Sequence, residues 1–94
     1  MKLISRKEFD RRVTSGELDN LQAVMVKEGF CLIASKADSP GEDVFMLRRT
    51  DKKPYIWNNE LGPSSYARTR GCSSLTVFYR ENLSVSSIQG LMHV

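Results

Sequence analysis

The sequence predicts an α+β domain, with N-terminal helices packed on a small, mainly antiparallel sheet of about four strands and a short closing helix. Three observations carry this expectation. Capping signals and helical spacing dominate the first 29 residues and return only briefly near the end of the sequence. From Phe30 the pattern changes to short apolar runs separated by turn-forming residues. Finally, 94 residues at 40% hydrophobic and 27% charged suit one ordinary globular domain, 1–94, with no room for a second.

At the start, Ser5 is followed three places later by Glu8, the capping-box spacing, and Ile4 and Phe9 stand as a hydrophobic staple would place them. A helix is therefore expected from Arg6 to about Thr14. Gly16 interrupts it. Thr14 with Glu17 repeats the capping spacing, so a second helix is expected from near Ser15, carrying Leu18, Leu21, Val24 and Met25 and ending at Gly29. FCLIASK then reads as a strand, ADSPGED as a turn-forming loop and VFMLRR as a second strand, together a wide hairpin.

PYIWN reads as a third strand, its proline favouring an edge, with Tyr55 and Trp57 on one face and Ile56 on the other. If Ile56 faces inward, the two rings are exposed together. Residues 59–73 fit either one helical turn between Pro63 and Gly71 or an ordered loop. SLTVFY is a clear strand. Leu83, Ile88, Leu91 and Met92 suggest a closing helix, although a strand reading of NLSVSS stays open.

The motifs for chemistry are missing. Two cysteines, Cys31 and Cys72, and one histidine, His93, fall short of the ligands a structural zinc site needs. The same shortage removes a held base for Ser/His or Cys/His nucleophilic catalysis. Glu42 and Asp43 belong to a turn beside Pro40 and Gly41, and nothing brings Asp51 or Glu60 to them. TSGEL and SPGED each hold one glycine and no Lys-Ser/Thr pair, so neither is a phosphate loop. The expectation is a protein that is not an enzyme and takes no cofactor. With no apolar run of the roughly 20 residues a bilayer requires, no signal-like segment and both thiols expected reduced, the expected location is cytoplasmic, away from membranes.

Charge distribution is more informative than the total of +3. Residues 1–47 carry seven Lys/Arg against eight Asp/Glu; residues 48–80 carry seven against two. An uneven field of this kind steers polyanions. Arg48, Arg49, Lys52 and Lys53 flank one connection, and Arg68, Arg70 and Arg80 come from the segment and strand that follow. If the third and fourth strands pair, both groups share one side of the sheet, interleaved with Tyr55, Trp57 and Tyr66. Such a surface suits nucleic acid, with cations on phosphates and rings on unpaired bases. It equally suits an acidic protein surface, as an adaptor or an inhibitor of a nucleic-acid-processing complex, or a homodimer contact. In the contrary view the cations give solubility, and Trp57 caps the core with its ring.

Overall fold

The computed structural model describes residues 1–38 and 44–91. The elements are β1 (Lys2–Ile4), α1 (Arg6–Thr14), β2 (Asn20–Val26), β3 (Gly29–Ser35), β4 (Phe45–Leu47), α2 (Leu61–Thr69), β5 (Thr76–Tyr79) and α3 (Val85–Leu91). The α+β class holds, but the sheet has five strands in the order β1-β4-β3-β2-β5 and is mixed. β1 pairs parallel with β4 and β2 parallel with β5, while β3 runs antiparallel to both of its neighbours. Four strands thus share a direction and end at one end of the sheet.

Ser5 caps α1 as its spacing predicts, its hydroxyl accepting from the Glu8 amide at 3.3 Å. The Glu8 carboxylate turns forward instead, onto Arg11 and Arg12. Those two hydrogen bonds, Arg11 first, outweigh partial desolvation and hold its carboxyl down at about 2. α1 stops at Gly16, whose φ of +83° is open to glycine at little steric cost.

The predicted second helix is instead β2. Leu21 and Ala23 face α1 and α2, whereas Val24 and Val26 face the other side, and all four are buried. A strand covered on both faces is apolar at nearly every position, and periodicity then fails to separate it from a buried helix. Gly29 accordingly follows no helix: it opens β3 after the Lys27-Glu28 turn, with φ +138°. β1, three residues long, escaped the sequence pattern altogether.

The hairpin of residues 30–49 forms as expected, with Ile33 opposite Met46 and Ala34 opposite Phe45. Its tip, including the turn assigned to Glu42 and Asp43, lies outside the described residues, as does His93.

α1 and α2 cover one face of the sheet, burying Phe9, Val13, Tyr66 and Ala67 against Leu21, Leu32 and Phe45. α3 covers the other, placing Ile88 with Val24, Cys31 and Met46. The closing helix is thus present, its first amide bonded to Glu28 Oε1 at 3.0 Å. Cys31 and Cys72 are free thiols that join opposite cores, and burial pushes the Cys31 thiol up to about 11. No helix among the described residues is long and apolar enough to cross a membrane.

Candidate nucleic-acid interface

The expected third strand is no strand. Residues 54–57 make two isolated bridges, Arg48 to Pro54 and Phe30 to Trp57. The Tyr55 amide donates to the Leu47 carbonyl at 3.0 Å, and Phe30 and Trp57 exchange both main-chain bonds at 2.9 Å. The segment therefore bonds to β4 on one side and to β3 on the other, filling the end of the sheet where those strands part. Side chains still alternate: Tyr55 and Trp57 lean on the α1/α2 core and Ile56 on the α3 core. Both faces are core, so the proposed exposed ring pair becomes a half-buried one. Gly29 is what admits the segment, because a Cβ there would meet the Trp57 carbonyl and the Ile56 side chain. Gly62 likewise admits the Trp57 indole against α2.

The rings form a line from surface to core. Tyr55 and Trp57 stand 4.7 Å apart between centroids, Trp57 and Tyr66 6.0 Å, and Tyr66 and Phe9 5.8 Å. Tyr66 is only 4% exposed, so it offers no face for stacking.

Arg70, expected on a binding surface, is occupied. Its Nε donates to Asp10 Oδ1 at 3.0 Å and its Nη2 to Oδ2 at 3.2 Å, while the Tyr66 hydroxyl donates to the same carboxylate. The guanidinium carbon lies 3.6 Å from the Tyr66 ring centroid. Desolvation pushes the Asp10 carboxyl up, but the Arg70 and Tyr66 hydrogen bonds with the charges of Arg70 and Arg6 prevail and hold it below its usual value. Burial, then the bond to Asp10, raises the Tyr66 hydroxyl. Arg70 and Tyr66 therefore fasten α2 to α1.

Arg80 does not share one side of the sheet with the first basic group. β5 pairs with β2 and stands at the edge opposite β1, so Arg80 is remote from Arg48. Arg80 lies over the Phe78 ring at 5.6 Å and donates to the Tyr79 carbonyl at 3.0 Å. Arg68 is exposed on α2 with no carboxylate partner among the described residues.

What the fold does assemble is the group at the ends of β1 and β4. Residues 49–53 make a tight loop, with the Arg49 amide on the Lys53 carbonyl at 2.7 Å and Lys52 at φ +69°. Arg49 pairs with Asp51 at 3.3 Å, while Lys52 and Lys53 are exposed without a carboxylate partner among the described residues. Beside the loop, Ser5, Arg6, Arg48, Arg49, Thr50 and Tyr55 line an open depression of about 300 Å³. A second, of about 450 Å³, lies between Trp57, Ser65, Thr69 and Arg70, and it too is bounded by Arg6. Arg6 joins the two. It went unnoticed in the sequence because a lone arginine in a first helical turn carries no signal; only the β1–β4 pairing sets it beside Arg48.

Among the described residues no three His, Cys, Asp or Glu side chains converge as metal ligands would. No protein-family model, no curated protein and no solved structure matches the chain.

Proposed function

We propose that the protein is a non-enzymatic binding protein that holds the phosphate backbone of nucleic acid on the face formed by Arg6, Arg48, Arg49, Lys52 and Lys53. The supporting observation is the depression itself, where arginines from the start of α1 and the end of β4 meet around Tyr55 with the hydroxyls of Ser5 and Thr50. Arginine forks suit phosphate oxygens, and the hydroxyls add neutral donors. Of the five cations only Arg49 makes an ion pair with a carboxylate among the described residues, and that pair is solvent-exposed and readily exchanged; Arg6 stands in the field of Asp10 and 5.8 Å from the Tyr66 ring centroid.

Base stacking contributes little in this reading. Tyr55 is the one ring on the depression, and Trp57 and Tyr66 are held inside the ring line. Affinity then comes from counterion release, so five phosphate contacts set a log–log salt slope of about −4 to −5 for duplex DNA.

The test is titration of labelled single- and double-stranded nucleic acids at several salt concentrations, with Arg48→Glu/Arg49→Glu and with Arg80→Glu. Saturable binding that the first variant abolishes and the second leaves intact supports the assignment. A flat titration at low salt removes it, and equal loss from Arg80→Glu would show an unlocalised charge effect. The fixed, half-buried rings favour an acidic protein surface as the second reading, since ready-made anchors ringed by arginine suit protein partners. A protein partner would bind with a shallower salt dependence.

A further inference from the structure

The two edges of the sheet differ in a way that the basic face does not explain. β1 is three residues long and begins with an exposed lysine, both of which discourage pairing with another sheet. β5, Thr76-Val77-Phe78-Tyr79, has no charge and no proline and consists of residues that favour strands. Its outer side carries no partner strand among the described residues.

Main-chain direction on β5 follows from one bond. The Arg80 amide donates to the Met25 carbonyl at 2.7 Å, continuing the parallel ladder with β2. Alternate residues of a strand aim their N–H and C=O groups to opposite sides. Thr76, Phe78 and Arg80 therefore address β2, and Leu75, Val77 and Tyr79 address the free edge.

Helix α2 lies above this edge and runs against β5: the Tyr79 hydroxyl donates to Glu60 Oε1 at 2.8 Å, just before the helix begins. Leu61 and Ser64 border a depression with Leu75 and Val77. Leu61, 72% exposed, and Tyr79, 51% exposed, are the large exposed hydrophobics of the described residues, and both belong to this edge. Leu61, Ser64 and Arg68 follow the i, i+3, i+7 spacing of one helical stripe. Glu60 stands at one end of that stripe and Arg68 at the other.

We propose that β5 and α2 form the interface of a two-fold homodimer, with β5 antiparallel to β5 of a second copy about an axis at Val77 and α2 packed on its counterpart. In that register Val77 meets Val77 and Leu75 meets Tyr79, which are the residues whose main-chain groups point outward. The match extends to the helices. Glu60 to Arg68 spans about 12 Å of helix and Leu75 to Tyr79 about 13 Å of strand, so one axis brings each Glu60 to the other copy's Arg68. Ser64, small, falls near the axis and lets the helices approach. The strand itself sets no like charges opposite each other, and Arg80 lands opposite Ser74. The Arg80 guanidinium, which covers the Tyr79 carbonyl in one copy, gives way to the Leu75 amide of the other. This inference is independent of the nucleic-acid reading, because Arg48 and Arg49 lie beyond the sheet's other half.

The test is sedimentation equilibrium of the whole chain from about 1 µM to about 300 µM, with folding of each variant checked by circular dichroism. The wild type is expected to reach twice the chain mass. Glu60→Arg alone and Arg68→Glu alone place like charges across the axis and raise the dissociation constant at least about tenfold. The double variant Glu60→Arg/Arg68→Glu restores it, since a two-fold axis pairs the swapped charges again. Hydrogen exchange gives a second readout: the Leu75, Val77 and Tyr79 amides slow at least about tenfold between dilute and concentrated protein. A monomer at every concentration, a dimer indifferent to both single reversals, a double variant that stays monomeric, or edge amides unchanged with concentration would each overturn the proposal.

Discussion

Arg70 and the Arg48–Arg49 pair look alike in the sequence, each a basic site close to aromatic residues, yet the fold uses them for opposite ends. Arg70 is 18% exposed and bonds both Asp10 oxygens, sharing Oδ1 with the Tyr66 hydroxyl, so its charge is spent on joining α2 to α1. Arg48 and Arg49 leave the end of β4 and bound an open depression. A positive charge is available to a partner only where the fold has not locked it to a half-buried carboxylate; the Arg49–Asp51 pair is solvent-exposed and readily exchanged. The difference lies in partners sixty residues away, which no local window contains.

The sharpest way to break the comparison is to remove what stands between the two regions. Trp57→Ala takes the indole from between Tyr55 and Tyr66 and is expected to cost about 3 kcal/mol in urea unfolding. Asp10→Ala comes next, at about 2 kcal/mol, because it strands the buried Tyr66 hydroxyl and frees Arg70. A cost below about 0.5 kcal/mol, the level of an ordinary surface change, would make Arg70 as free as Arg48. pH sharpens the same contrast. The Asp10 and Glu8 carboxyls are held below their unfolded values, so their contribution is complete only above those unfolded values, from about pH 5 upward, and is lost as pH falls through the folded values. Asp10→Asn should therefore flatten the stability curve below about pH 4, read from urea midpoints at successive pH values. The smallest effect belongs to Arg48→Ala and Arg49→Ala, each expected within about 0.5 kcal/mol of wild type. Their loss is read in nucleic-acid titration instead.

Sequence reading recovered what local chemistry dictates. The Ser5 cap, the hairpin from β3 to β4 and the TVFY strand all rest on signals a few residues long, whereas residues 59–73, open between one helical turn and an ordered loop in the sequence, form the nine-residue helix Leu61–Thr69. β2 was misread because both of its faces are covered, and Lys2–Ile4 because three residues hold no period. In the candidate site, Arg48, Arg49, Lys52, Lys53 and Tyr55 were legible as a charged connection running into an aromatic. Arg6 was not, since its relation to them exists only through the β1–β4 pairing. Tyr66 and Arg70 belong to packing for the same reason: Asp10 reaches them only across the folded chain.

The mixed sheet also sets an order of assembly. β2 and β3 adjoin in sequence through a two-residue turn, so the central hairpin closes a short loop. Each parallel pairing must instead bring together distant segments, Lys2 with Phe45 and Gln22 with Thr76. Closing those long loops costs chain entropy before any contact repays it, so the outer strands join late and leave first. The loop lengths therefore predict that the hairpin forms first, while both of its flanks still stand open. Dilute conditions then favour correct closure, because at that stage another chain competes with β1, β4 and β5 for the same hairpin.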